Sequence, residues 1–229
     1  MFQQNYPTIK SKLDSFTHKD GSINATLVQE EWFPTIDADI FISHAHEETE
    51  LALGLSGWLH GTFGLTCFID STVWGYGNDL LKEIDKDFCR IEGTDSFDYN
   101  KRNYSTSHVH MMLAVALQKM TDHTECLFFL KPAVSRLSTE DLIEKTESPW
   151  IYAEIAASRM IRKREPQDHL MSGTRMFSLL EAVATFTYDL ETDHLIRLFD
   201  ADFVEWQKKR RGREFGLTAL YRLKKSAKE

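Results

Sequence analysis

Short apolar runs and longer stretches with a helical rhythm take turns along this chain. The run Asp39-Ile40-Phe41-Ile42-Ser43-His44 is apolar and partly β-branched, which suits a strand buried on both faces. It stops at the small polar Ser43. After His44-Ala45-His46-Glu47-Glu48, the residues Leu51, Leu55, Trp58 and Leu59 recur at helical spacing. A second apolar run, Leu65-Thr66-Cys67-Phe68-Ile69, ends at Asp70. Strand, helix and strand within roughly thirty residues predict a βαβ unit with a right-handed crossover. Ligands of open α/β sheets bind beyond the carboxyl ends of the strands, and Ser43 and Asp70 both fall there.

The alternation continues. Ser71 to Asn78 is a loop with two glycines and two aromatics, Trp74 and Tyr76, and it leads into a helix from Asp79 to Cys89. Residues 91–104 are polar and irregular, and Ser105 or Ser107 is placed to cap a helix from Val109 to Met120. Glu125 to Leu130 is a third buried strand. Ser148-Pro149-Trp150 opens a helix with Ser at the cap and Pro at the first position, and Pro166 stops it. Val183 to Leu190 reads as a fourth strand and Leu195 to Phe199 as a short fifth. Asp200 or Asp202 caps a helix through Phe203 and Trp206, and a final helix runs from Phe215 to Leu223. Ahead of all this, residues 1–36 form an extension with a short helix that Ser22 or Asn24 caps and Pro34 ends. The expected fold is α/β, a doubly wound parallel sheet with strands near 38–43, 65–69, 125–130 and 183–189.

Composition narrows the setting. With 229 residues the chain has room for one good core, and its 42% hydrophobic and 27% charged residues are those expected of an ordinary soluble globular protein. No apolar run approaches the ~20 residues of a membrane span, and Met1 to Pro7 has no basic region leading into an apolar one. Three cysteines without C-x-x-C spacing fit a reducing cytoplasm. The net charge is −8, but Lys208 to Glu229 holds nine Lys and Arg against two Glu, a net +7 that leaves −15 on the rest. An acidic body argues against a phosphate-tracking nucleic-acid binder. The basic end reads as a solvated helix, with nucleic acid or an anionic surface as its alternative contact.

Two histidine pairs raise the question of a metal. His44-x-His46 follows a strand but is continued by Glu47-Glu48-Thr49 rather than by further ligands at suitable spacing. His108-x-His110 opens a predicted helix, where i and i+2 do not share a face. No metal is therefore expected. Gly75-x-Gly77 is not a dinucleotide fingerprint, and neither a phosphate loop nor G-x-S-x-G is present. Trp150 and Glu154, four apart, share a helix face. That pair reads either as a core Trp with an exposed Glu or as part of a site, since its helix begins at the sheet edge that holds Ser43 and Asp70.

The segment Asp39 to His44 resembles the opening strand of Toll/interleukin-1 receptor (TIR) domains. Phe68-Ile69-Asp70 with the glycine-containing loop resembles their second strand and BB loop, and Ser148-x-Trp150-x-x-x-Glu154 is similar to the family's Trp and catalytic glutamate. The resemblance covers roughly residues 36–210 and is nearest to the NAD-cleaving bacterial members of anti-phage defence (Thoeris-like). It implies a flavodoxin-like TIR domain over 37–212 with an insertion at about 90–108, flanked by the 1–36 extension and a basic helical tail at 213–229. It also implies cleavage of NAD, as substrate rather than cofactor, at the nicotinamide–ribose bond. Glu154 would be the catalytic carboxylate, lining a cleft rather than the core, with Ser43, His44, Asp70, Trp74, Tyr76 and Trp150 framing the substrate. The implied partners are other TIR surfaces and a separate effector that senses the nucleotide product. The rival expectation is a non-catalytic TIR adaptor that acts by assembly alone. If NAD is cleaved without a metal, activity should survive a strong chelator. Loss with EDTA and recovery with zinc or manganese would promote His44 and His46 to ligands.

Overall fold

A computed structural model describes residues 14–74, 77–130, 145–146, 148–161, 188–189, 191–210, 212 and 214–225. Among these, 14–35, 71–74 and 77–120 form one compact unit, and 36–70, 121–130 and the described stretches from 145 onward form a second.

The second unit is built on β1 (Ile40–Ser43), with β2 (Cys67–Phe68) on one side and β3 (Cys126–Phe129) on the other. Both pairings are parallel, with Ile40 opposite Cys67 and Cys126, and Ser43 opposite Phe129. The order β2-β1-β3 means that the chain leaves β1 in one direction and returns on its other side, so the crevice at the carboxyl ends of β1 and β3 is a topological switch point. Asp39 anchors the amino ends of all three strands. Its carboxylate accepts from the Thr66 N–H at 2.7 Å and from the Thr66 hydroxyl at 2.8 Å, and its carbonyl accepts from the Glu125 N–H at 3.0 Å.

The side chains of this unit divide by strand alternation. Ile40, Ile42 and Phe128 share one core with Ala52, Leu59 and Phe63 of the helix Thr49–Phe63, which follows β1. Gly64 ends that helix in the left-handed conformation, φ +72°, and its N–H bonds back to the His60 carbonyl at 2.9 Å. The same core takes in Trp206 from the helix Asp200–Lys209 and Leu217, Ala219 and Leu220 from the helix Gly216–Lys225. Trp206 is fully buried, stacks on Phe63 at 4.3 Å and donates its indole N–H to the Gly216 carbonyl at 2.8 Å. A Cβ on Gly216 would lie 2.8 Å from the Cβ of Phe63, so this close approach requires glycine. Leu127 and Phe129, on the other face of β3, pack against Ile151 and Ile155 of the helix Pro149–Met160. This helix starts as read from the sequence, with Ser148 Oγ accepting from the Ile151 N–H at 3.3 Å.

In the first unit a short helix, Ala25–Trp32, is capped by Asn24. The helix Gly77–Ile84 continues into a π-helical turn, Asp85–Cys89, and a long helix spans Tyr99–His123. Asp85 in the π turn is buried and accepts from Arg102 Nε at 2.8 Å.

Several expectations need correction. Tyr188–Asp189, the described end of the fourth predicted strand, does not join the parallel sheet. It pairs antiparallel with Lys145–Thr146, while 183–187 lie outside the described residues. An apolar run carries no record of its partner, which tertiary contacts choose. Residues 195–199 are irregular, although Leu195 and Leu198 are still partly buried against neighbouring side chains. The insertion-like loop is shorter than read: helix starts at Tyr99, not near 105–109, because Asp98 accepts from the Lys101 N–H at 2.9 Å ahead of the two serines. Ser71 to Val73, read as the start of a loop, belong instead to one helical turn, Asp70–Val73.

Replacing Trp206 by alanine should cost about 3–5 kcal/mol, and Gly216→Ala about 1–3 kcal/mol through overpacking against Phe63. Both are read as lower urea midpoints at unchanged m. A Gly216→Ala protein as stable as wild type would mean that Phe63 yields without cost.

Candidate active site

Three elements of the sheet-bearing unit bring side chains to one place. Ser43 is the last residue of β1, Asp70 follows β2, and Glu154 stands one turn into the helix Pro149–Met160. Ser43 is committed through its backbone, since its carbonyl accepts from the Leu130 N–H at 2.9 Å. Its hydroxyl is buried, at 1% residue exposure, and makes no hydrogen bond of regular length and angle with a described group. Glu154 is itself buried, at 3% exposure, which corrects the expectation of a cleft-lining glutamate. A helix with Ile151 and Ile155 packed on Ala45, Leu127, Phe129 and Leu195 turns the position between them inward as well.

The electrostatics follow from that burial. Removal from water, and next the charge of Asp70, hold the Glu154 carboxyl well above the ordinary carboxylate range, while the Ser43 hydroxyl pulls weakly the other way. Among the described residues, no lysine, arginine or histidine figures among the groups that act on it. The thiols are not rivals for a nucleophile: burial pushes Cys67 up to about 11 and Cys126 up to about 12.

The remaining residues of the predicted site are placed as follows. His44 is half-buried next to Ser43, with Nδ1 3.4 Å from the Ile42 carbonyl and Nε2 3.4 Å from Thr49 Oγ1. Trp150, half-buried, precedes Glu154 by four residues on the same helix face. Trp74 belongs to the other unit and is not an exposed loop aromatic. It is buried, sits edge-on to Phe33 at 5.6 Å and donates its indole N–H to the Pro34 carbonyl at 3.0 Å. The physical reason is that the short helix before it leaves its large apolar ring beside the N-terminal segment, which needs a cover of its own. Tyr76 lies outside the described residues. Among the described residues, no three His, Cys, Asp or Glu side chains are grouped to hold a metal ion.

Sequence reading missed the clamp that holds this helix. Ser158 Oγ donates to the Ile155 carbonyl at 2.8 Å, so His194 Nε2, 2.9 Å away, is the donor to that oxygen. Arg159 pairs with Glu191 at 3.0 Å and also with Asp193. Glu191-Thr-Asp193-His194 is an acidic turn with one histidine, and nothing in its spacing announces a partner 34 residues earlier.

Compared with family models, with curated proteins and with solved structures, the chain shows no match.

The folded protein keeps a proton on Glu154 that the unfolded chain gives up near 4.5. This group's contribution to stability is therefore level at acid pH and falls as pH rises from there toward the raised value. Glu154→Gln removes the dependence, so its melting temperature should gain on that of the wild type as pH is raised. Parallel curves in a pH series of thermal unfolding would place the ionisation elsewhere.

Proposed function

We propose that this chain is a TIR-type enzyme with a flavodoxin-like fold, cleaving NAD at the nicotinamide–ribose bond with Glu154 as its catalytic carboxylate. The observation that carries the proposal is the meeting of Ser43, Asp70 and Glu154, from three separate segments, at the carboxyl edge of a parallel sheet. The strand order β2-β1-β3 matches the start of the flavodoxin-like order and supports the fold assignment. The resemblance of the Asp39, Phe68 and Ser148 segments to TIR motifs supports the activity.

The chemistry suits the site. As the bond to a cationic pyridinium stretches, positive charge moves onto the ribose, and nicotinamide leaves neutral without help from a general acid. A carboxylate at Glu154 stabilises the oxocarbenium and can accept from ribose hydroxyls. Burial strengthens that interaction because little water screens it. Trp150 offers a ring face one helical turn away. In this proposal the product acts as a nucleotide signal for a separate effector in anti-phage defence, with self-assembly through TIR surfaces as the means of activation. A second reading, an adaptor without chemistry, draws on the low exposure of Glu154.

Incubation of the pure protein with NAD should release nicotinamide, read by chromatography. Glu154→Gln should lower that rate about 10²–10³-fold, the usual loss for one transition-state electrostatic contact. Turnover by the variant near the wild-type rate would move the active site elsewhere.

A further inference from the structure

Glu154 stands in the middle of the helix Pro149–Met160, and apolar packing does not by itself fix where its carboxyl points. Ile151 and Ile155 hold that helix against Leu127 and Phe129 of β3, but such contacts are non-directional. A side chain ends about 5–6 Å from the helix axis, so a roll of about 10° displaces it by about 1 Å. A displacement of that size at a reacting group can cost up to about 10²-fold in rate. Hydrogen bonds, with a set length and angle, are the contacts able to stop the roll.

One turn of chain supplies them. Ser158 follows Glu154 by four residues and lies on the same face of the helix. Its hydroxyl gives its hydrogen to the Ile155 carbonyl at 2.8 Å and accepts from His194 Nε2 at 2.9 Å. Arg159, about 100° further round the helix, pairs with Glu191 at 3.0 Å and with Asp193. The turn that offers these groups is itself fixed. Leu195 donates its N–H to the Thr192 carbonyl at 2.9 Å and packs against Ile151 and Ile155. The ion pairs are the weaker guide, because Arg159, Glu191 and Asp193 are exposed to screening water. Ser158 and His194 are half-buried. His194 Nδ1 is buried and bonds no described group, so Nε2 carries the contact.

We propose that His194 is a positioning residue, whose bond to Ser158 sets the roll of the helix and keeps the Glu154 carboxyl sealed from water. The consequence for catalysis rests on the NAD reading of the site; the placement of Glu154 does not. Nε2 bears a hydrogen both in the neutral tautomer that Ser158 selects and in the charged ring. The clamp therefore holds across the range in which histidine titrates, and His194 neither takes nor gives a proton in the reaction. A glutamine amide keeps a donor close to the Nε2 position, whereas an asparagine amide reaches only as far as Nδ1.

Two readouts on the full chain test this, and the first needs no substrate. With the glutamate carboxyls labelled with carbon-13, the Glu154 resonance, assigned by its loss in Glu154→Gln, should titrate well above the ordinary carboxylate range. His194→Ala should bring that midpoint down by letting water reach the carboxyl. His194→Gln should restore it and His194→Asn should not. The second readout is nicotinamide release from NAD. His194→Ala and Ser158→Ala should each lower kcat by about 10–10²-fold at little changed KM, and the double variant should lose no more than either one. Melting temperatures should fall by only a few degrees, and the pH–rate profile of His194→Gln should superimpose on that of the wild type. A Glu154 midpoint indifferent to both His194→Ala and Ser158→Ala overturns the positioning role. A rate for His194→Gln as low as that for His194→Ala, with a displaced pH–rate profile, overturns it in favour of a reacting imidazole. A midpoint that follows His194 as expected, in a protein that releases no nicotinamide, supports the positioning role and overturns the NAD reading.

Discussion

Ile40 to Ser43 is hydrogen-bonded along both edges and buried at every position, and the sheet-bearing unit is arranged around that double demand. A strand with neighbours on both sides needs its register set at one end, and Asp39 does this by bonding Thr66 and Glu125 together. Every side chain then has an assigned face. Ile40 and Ile42 go to the Trp206 core, while Leu127 and Phe129 of the adjacent strand go to the Glu154 helix. Ser43 ends the strand with its backbone used and its hydroxyl buried.

The Glu154 helix is held from two directions. Ile151 and Ile155 fasten its middle by apolar packing, and the Ser158 and Arg159 contacts to residues 191–194 fasten its last turn. An exposed ion pair such as Arg159 with Glu191 contributes little by itself, roughly 0–1 kcal/mol. Its effect here is to orient the turn that follows the glutamate. A carboxyl buried beside another carboxyl opposes folding at neutral pH, and the Trp206 cluster is the apolar reserve against which it stands.

The first unit solves the same problem of burial differently. Asp85 is paired through Oδ2 with Arg102, although its Oδ1 makes no hydrogen bond with a described group, and Trp74 gives its indole hydrogen to Pro34. The N-terminal segment thereby acquires a structural role through Phe33. Among the described residues, Asp85 has a cationic partner and Glu154 has none, and that difference separates a packing solution from a candidate site.

Much of the fold was legible because the signals are local. Burial on both faces selects an unbroken apolar run, so Ile40–Ser43 and Cys126–Phe129 stand out, and Ser148-Pro149 announces a helix start by its own bonding capacity. Ser43 and Asp70 were also readable as polar residues at strand ends, whereas Glu154 was singled out by the resemblance of its segment. Pairing partners were not: Tyr188–Asp189 looks like any strand until Lys145–Thr146 is laid beside it. Nor was environment. Trp74 reads as a loop aromatic until Phe33 and Pro34 cover it, and Glu154 reads as a cleft-lining acid until burial removes its water. The sequence by itself determined the three parallel strands and the helices that follow a cap or an apolar rhythm, because periodicity and capping act over a few residues. Only the tertiary structure decided which charges face one another, because solvation and Coulomb energy depend on distances between segments far apart in the chain.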